Sequence, residues 1–299
     1  MTRRLGAIAA LAFVASMALG SAGPAFAQSE AAEPVDGPAA AERADPIADL
    51  IADPAPDLMA EPNDGQRPSV SATAPPEPQR PAISAARQPN AVVIELFTSQ
   101  GCSSCPPADA LFAQLAARQD VIALALHVDY WDYIGWADAF ARPEHTQRQQ
   151  AYARAAGSRT LYTPQIVVGG LHGIEGFRSM QVMDLIARHR SAGSRVTIGL
   201  ARDEDGMLSI SLRAFPPLPS AAEIAVVRYQ PSATVAIGAG ENAGRIATYH
   251  NIVTDWEVLG TWDGQIDRQL SHPLNGDAPV VVLVQMPGPG AIVGAARLR

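Results

Sequence analysis

Cysteine occurs twice in the 299 residues, as Cys102 and Cys105 in the stretch FTSQGCSSCPP. Two thiols with Ser103 and Ser104 between them can pass between dithiol and disulfide while exchanging with the disulfide of another molecule. As a structural staple such a bridge is weak, because closing a loop over two intervening residues removes little entropy from the unfolded chain. A CxxC pair that leaves a strand and opens a helix is the redox arrangement, with Cys102 as nucleophile and Cys105 as the resolving thiol. The same two thiolates are soft ligands for Cu(I), with His127 or His172 as a third, and copper handling is the alternative use of these residues. A zinc site would want four ligands. Lysine is absent, all 22 basic residues being arginine, which removes Schiff-base chemistry and phosphate-binding lysines. Dithiol exchange needs no bound cofactor, and none is expected.

The elements that must position this pair can be read from hydrophobic periodicity. Residues 92–97 (VVIELF) form a buried-strand run, and Ala108, Leu111, Phe112 and Leu115 then recur at helical spacing. A second strand follows over 121–128, a polar-faced helix over 144–156, a third strand over 164–168, a Gly169-Gly170 turn and a fourth strand over 171–175. A closing helix over 179–190 has basic residues in its last turn and Gly193 beyond. In a parallel pair the carboxyl ends of both strands share one rim, where α/β sites are built. That rim brings HVDYWDYIGW, residues 127–136, towards the cysteines. His127 or Asp129 is then a candidate proton acceptor for Cys105, and Asp129 and Trp131 form a candidate wall of a substrate groove. In the plainer reading Trp131 and Trp136 pack a long loop and His127 is a hydrogen-bonded strand residue.

Pro106 and Pro107 favour the first helical position, which leaves two registers open: a helix that includes the cysteines, or one that starts after them. A helix N-terminus at Cys102 would favour its thiolate by about 0.3–1 kcal/mol. With Glu95 and Asp109 as the nearest charges in sequence, the expectation is a modestly lowered thiol pKa and a reducing or isomerising pair.

The order strand, helix, strand, helix, strand, strand, helix, with Thr163-Pro164 just before the third strand, resembles the thioredoxin superfamily. That resemblance implies a cis Thr163–Pro164 bond and a Thr163 backbone that pairs with a bound peptide beside Cys102. More closely, ELFTSQGCSSCPPADALFAQL, HVDYWDYIGW, YTPQIVVGG and GENAGR together are similar to the secreted bacterial family called domain of unknown function 1223, from residue 92 to the C-terminus. This resemblance implies a fold and brings no established substrate. One departure from thioredoxins is Gly101, which stands where they carry an aromatic residue before the first cysteine.

From residue 194 onward the pattern turns to antiparallel β, with strands expected over 196–201, 208–214, 224–230, 246–253 and 280–285. Turn pairs such as Asp205-Gly206 and Asp263-Gly264 separate them. The fold expectation is therefore α/β: a thioredoxin-like domain over 91–193 followed by a smaller antiparallel β domain, sandwich or barrel-like, over 194–299. Within the latter, residues 240–245 (GENAGR) are the most site-like stretch, with a hairpin turn as the plain explanation. Trp256 and Trp262 are expected in the core.

The N-terminus carries Arg3 and Arg4, an apolar run from Leu5 to Leu19 and an Ala25-Phe26-Ala27 cleavage pattern, which predict a signal peptide over 1–27. Residues 28–90 contain no aromatic residue, twelve of the 25 prolines, eleven acids and four arginines. Such a segment cannot bury enough apolar surface to offset its ordering entropy, and it reads as a disordered tether. It carries most of the chain's net charge of −8, so the remainder is nearly balanced. A nucleic-acid partner is not indicated, and neither is a stable membrane anchor. The expectation is a periplasmic or secreted thiol–disulfide oxidoreductase acting on a thiol- or disulfide-containing protein, or on a small thiol, with a separate electron donor. A non-catalytic peptide-binding module is a further alternative.

Overall fold

The computed structural model describes residues 90–299. The expected signal peptide and, apart from Asn90, the expected tether lie outside the described residues. β1 (Val92–Thr98), α1 (Pro106–Ala116) and β2 (Val121–His127) come first, then a 3-10 turn (Asp132–Ile134), α2 (Pro143–Ala155), β3 (Gln165–Val168), β4 (His172–Glu175) and α3 (Ser179–Ala192). β5 (Val196–Arg202), β6 (Met207–Ala214), β7 (Ala222–Ala236), β8 (Ile246–Trp262), β9 (Arg268–Pro273), β10 (Val280–Gln285) and β11 (Ile292–Leu298) complete the described chain.

The strands form a mixed eight-stranded sheet, in the order β11-β10-β7-β8-β2-β1-β3-β4, and a three-stranded sheet, β5-β6-β9. β1 and β2 are parallel, and β3 is antiparallel to both β1 and β4. The expectation of a separate antiparallel β domain needs correction here. β5, β6 and β9 do form a small antiparallel sheet, but β7, β8, β10 and β11 continue the large one. The junction is narrow: Ile252 of β8 pairs in parallel with Ala125 of β2. Beside it Asn251, at φ 47°, occupies the left-handed region that Asn tolerates, and its Nδ2 donates to the Ala123 carbonyl at 3.0 Å.

The reason for this joining is burial. β1, β2 and β10 are buried along their whole length, so each needs an apolar layer on both faces. One face of β1 and β2 meets α1 and α3 through Ile94, Leu96, Phe112, Leu115, Val182 and Ile186. Burying Phe112 and Leu115 contributes about 1.5–3 kcal/mol each. The other face, with Val93, Phe97, Ile122 and Leu124, packs on Val227, Tyr229, Val281 and Leu283, so the two halves of the large sheet share a core. The outer face of β7 and β10 is covered in turn by β5 and β6 through Ile198, Leu200, Ile210 and Leu212. Trp262 lies in that third cluster, as expected of a core residue.

α2 is polar by composition yet turns His145, Thr146, Gln149 and Tyr152 inward. Pro143 opens it, and Glu144 and Arg154 sit at the ends that suit their charges. Its buried face is held by hydrogen bonds: Gln149 Nε2 donates to the Tyr162 carbonyl at 2.7 Å and to Gln165 Oε1 at 3.0 Å. Arg148 pairs with Glu95 of β1, donates to Gln285 of β10 and stacks on Trp256 of β8 at 3.8 Å. The helix thereby ties the two halves of the sheet together at one end of their common core.

Candidate functional site

Both cysteines lie in the loop that carries β1 into α1. Cys102 donates its N–H to the Ser99 carbonyl, and Cys105 donates to the Cys102 carbonyl, each at 3.2 Å. The Cys105 carbonyl then accepts from Ala108 and Asp109 at 2.9 and 3.0 Å, which makes Cys105 the cap of α1 and Pro106 its first residue. Of the two registers the prolines left open, the later one is formed. Cys102 stands before the first turn, where the helix macrodipole has fallen off. A disulfide joins the pair at a Cα–Cα distance of 5.4 Å, and both residues are 0% exposed.

The Thr163–Pro164 bond is cis, and this turn faces the cysteine loop. Ser104 Oγ donates to the Thr163 carbonyl at 3.3 Å and lies 3.4 Å from Cys102 Sγ. Trp131 Nε1 donates to Thr163 Oγ1 at 2.8 Å. The loop after β2 thus reaches both the proline turn and the cysteine loop. It also explains Gly101: a Cβ there would lie 3.1 Å from Trp131 Cβ and 3.0 Å from Ile134 Cδ1. The space an aromatic residue would need before Cys102 is filled from the neighbouring loop.

Asp129 is drawn elsewhere. Its Oδ1 accepts from Thr146 Oγ1 of α2 at 2.6 Å, so it braces that helix against the end of β2. His127 is fully buried, with Nδ1 2.7 Å from Asp138 Oδ2. The carboxylate accepts, so Nδ1 carries a proton. His127 Nε2 has no hydrogen-bond partner. The ring is enclosed edge-on by Phe140 and Tyr249, at centroid distances of 5.3 and 4.7 Å. Asp138 Oδ2 also accepts the Gln100 N–H at 2.8 Å, and Gln100 Oε1 accepts from Trp136 Nε1 at 2.7 Å. A buried imidazole–carboxylate pair therefore grips the cysteine loop two residues before Cys102. His145 lies behind it, its Nδ1–H on the His127 carbonyl at 2.9 Å, and burial pushes its pKa down to about 4.

Asp109, on the first turn of α1, accepts from Thr98 Oγ1 at 2.8 Å. Burial pushes its carboxyl up to about 6, against the opposing pull of His127 and the Thr98 hydrogen bond. It lines a cleft of about 210 Å³ between α1 and the β7–β8 hairpin, together with Ser99, Pro106, Asn242, Arg245 and Tyr249. Asn242, in the GENAGR stretch, is buried and donates from Nδ2 to the carbonyls of Gln100 and Cys102, both at 2.9 Å.

Cys102, Cys105, Thr163, Pro164, Trp131 and His127 thus lie at one end of the large sheet. His172, the other histidine considered for copper, pairs with Val168, which itself pairs with Ile94 near the start of β1. That is the end of the sheet away from the cysteines. Among the described residues no group of three or more His, Cys, Asp or Glu side chains is arranged to hold a metal ion. Sequence reasoning names Asp109 only as a nearby charge and does not single out Gln100, Asp138 or Asn242. Asp138 follows the HVDYWDYIGW motif by two residues, and Asn242 lies inside the stretch already marked as site-like.

The crystal structure of protein AGR_C_4864 from Agrobacterium tumefaciens is similar to this chain at 32% sequence identity and a TM-score of 0.61, over 71% of this chain and 94% of that one. Among curated proteins no match is found. A family model described as a protein of unknown function, DUF1223, matches residues 93–285. With that match over more than half of its length, the chain belongs to the DUF1223 family.

Proposed function

We propose that this protein is an exported, thioredoxin-like thiol–disulfide oxidoreductase. The observation that carries the reading is the Cys102–Cys105 disulfide in the β1–α1 loop, tied through Ser104 to the Thr163–Pro164 turn. The strand order β4-β3-β1-β2, with β3 antiparallel to its neighbours, supports the thioredoxin-like part. The leader-like N-terminus supports action in the periplasm or outside the cell, where disulfide substrates accumulate.

In the reducing direction, the Cys102 thiolate attacks one sulfur of a substrate disulfide. A mixed disulfide forms and the first substrate thiolate leaves. The Cys105 thiolate then attacks Cys102 Sγ, the second substrate thiolate departs, and the enzyme disulfide is restored. Two electrons pass to the substrate, and an external dithiol must return the pair to its reduced state. Of the two proton acceptors the sequence suggested, His127 keeps a buried Nε2 without a hydrogen-bond partner, while Asp129 is occupied with Thr146. Because both cysteines are buried in the oxidised state, exchange begins with movement of the loop around them.

The test is capture of the intermediate. Reduced Cys105→Ser protein, mixed with a disulfide-bonded peptide, is expected to retain a covalent adduct on Cys102 that the wild type releases. If the variant forms no adduct while Cys102 remains alkylatable, the oxidoreductase reading is overturned.

A further inference from the structure

We infer that Asn242 is a positioning residue of the Cys102–Cys105 pair, and that the β7–β8 hairpin is therefore a working part of the redox site; the inference rests on the oxidoreductase reading. The hairpin turn closes itself by backbone bonds: Ile237 N–H to the Arg245 carbonyl, Gly244 N–H to the Ile237 carbonyl and Arg245 N–H to the Asn242 carbonyl, at 2.9, 2.8 and 3.2 Å. These backbone bonds close the turn without the Asn242 amide N–H groups. Both amide protons instead cross to a loop about 140 residues earlier in sequence, one to the Gln100 carbonyl and one to the Cys102 carbonyl. Arg245 Nη1 donates to Asn242 Oδ1 at 3.1 Å. Carbonyls only accept and a guanidinium only donates, so the orientation of this buried amide is determined.

The carbonyl that Asn242 holds is the one that closes the CxxC turn, since Cys102 O also accepts the Cys105 N–H. When the disulfide is reduced, the two sulfurs must move from bonding distance to van der Waals contact, and the turn must loosen. An amide gripping Gln100 O and Cys102 O resists that loosening and keeps the two thiols close. Asn242 thus favours the disulfide over the dithiol and shields the pair from outside reagents. Gly238 fits the same arrangement, because a Cβ there would lie 3.1 Å from Trp136 Cζ3, and the Trp136 indole holds Gln100.

The experiment equilibrates the wild type and Asn242→Ala, Asn242→Asp and Arg245→Ala variants with glutathione buffers, and times alkylation of each reduced protein by iodoacetamide. Asn242→Ala is expected to shift the equilibrium at least fivefold towards the dithiol and to speed alkylation about tenfold. Asn242→Asp replaces the donating Nδ2 with one acceptor oxygen that faces two carbonyls, so its shift is in the same direction and larger. Arg245→Ala keeps both donors and frees only Oδ1, which gives a smaller shift and a folded variant if the Asn242 changes prevent folding. Trp262→Phe, a core change in another cluster, should leave both readouts within twofold of wild type, which separates positioning from general loosening. Unchanged equilibrium and alkylation in the folded Asn242 variant and in Arg245→Ala, beside a normally exchanging wild type, overturn the inference alone. A wild type that does not exchange at all overturns the redox reading and the inference with it.

Discussion

Two buried polar networks bridge the halves of the large sheet, and they are built differently. In the first, Glu95 accepts from Arg148 Nε at 2.5 Å and from the Tyr152 hydroxyl, Gln285 Oε1 accepts from Arg148, and Gln285 Nε2 donates to Tyr152 Oη and the Gly290 carbonyl. None of these side chains carries a buried polar atom without a partner. In the second, around His127, Asp138, Gln100 and Trp136, both His127 Nε2 and Gln100 Nε2 are buried without one. Unsatisfied buried groups are costly, and Arg202, Arg228 and Arg297 carry others among the described residues. The saturated network locks α2 across the sheet. The unsaturated one lies against the cysteine loop, where Asp138 Oδ2 accepts the Gln100 N–H.

The largest effect should come from breaking the lock. Arg148→Met strands Glu95 as an unpaired buried carboxylate, and about 3–5 kcal/mol of stability is expected to be lost in urea unfolding. The accompanying Glu95→Leu change should restore most of it. In the folded fraction the disulfide equilibrium should stay within twofold of wild type, and a larger change would dissolve the distinction between the networks.

Asp138→Asn acts on the other side of the comparison. It removes the carboxylate that holds His127 and the Gln100 N–H, with a smaller loss of about 1–3 kcal/mol, but disulfide exchange should slow and its pH profile should change. A variant that loses stability yet exchanges at the wild-type rate with the same profile would make this network structural too.

Asp109 gives a pH-dependent signature. Its folded pKa, about 6, lies above the ordinary 3.8, so the folded state binds the proton more tightly than the unfolded chain. Its contribution is fully present below the unfolded value and is lost as pH rises through about 6. Asp109→Asn stays neutral throughout. Its stability relative to wild type should therefore rise between pH 4 and pH 6 and level off above, as read from unfolding at stepped pH. A constant difference across that window would place the carboxyl in contact with solvent.

The smallest effect is expected from Trp131→Phe, which removes the hydrogen bond to Thr163 Oγ1. About 0.5–1.5 kcal/mol should be lost, by thermal or urea unfolding, with no effect on the Glu95–Arg148 lock.

The residues that were easy to read share a physical reason. β1, β2 and α1 announce themselves through continuous or helically spaced apolar runs, and residues 280–285 were bounded correctly because both of their faces are buried. β9 was missed because RQLSHP alternates exposed and half-buried residues and has no apolar run. β11 is missed because Gly294, Ala295, Ala296 and Arg297 interrupt its apolar run, and at Gly294 a Cβ would lie 2.7 Å from Val196 Cβ. The merging of the two halves into one sheet rests on a single parallel pair between Ala125 and Ile252, which no periodicity encodes. At the site, the cysteines and the proline turn are motifs, whereas Asn242 acts through an amide that meets backbone carbonyls. That contact depends on which loop arrives opposite, and residue type alone does not tell it.

The central claim, that Cys102–Cys105 is a working redox couple, is most directly tested by titrating the wild-type protein through a graded series of glutathione and dithiothreitol buffers and counting free thiols. The account predicts a reversible two-electron transition at a potential more negative than about −180 mV, on the reducing or isomerising side of the known range. A pair that shows no reversible transition across the series, or one that titrates near −120 mV as a strong oxidant does, would contradict it.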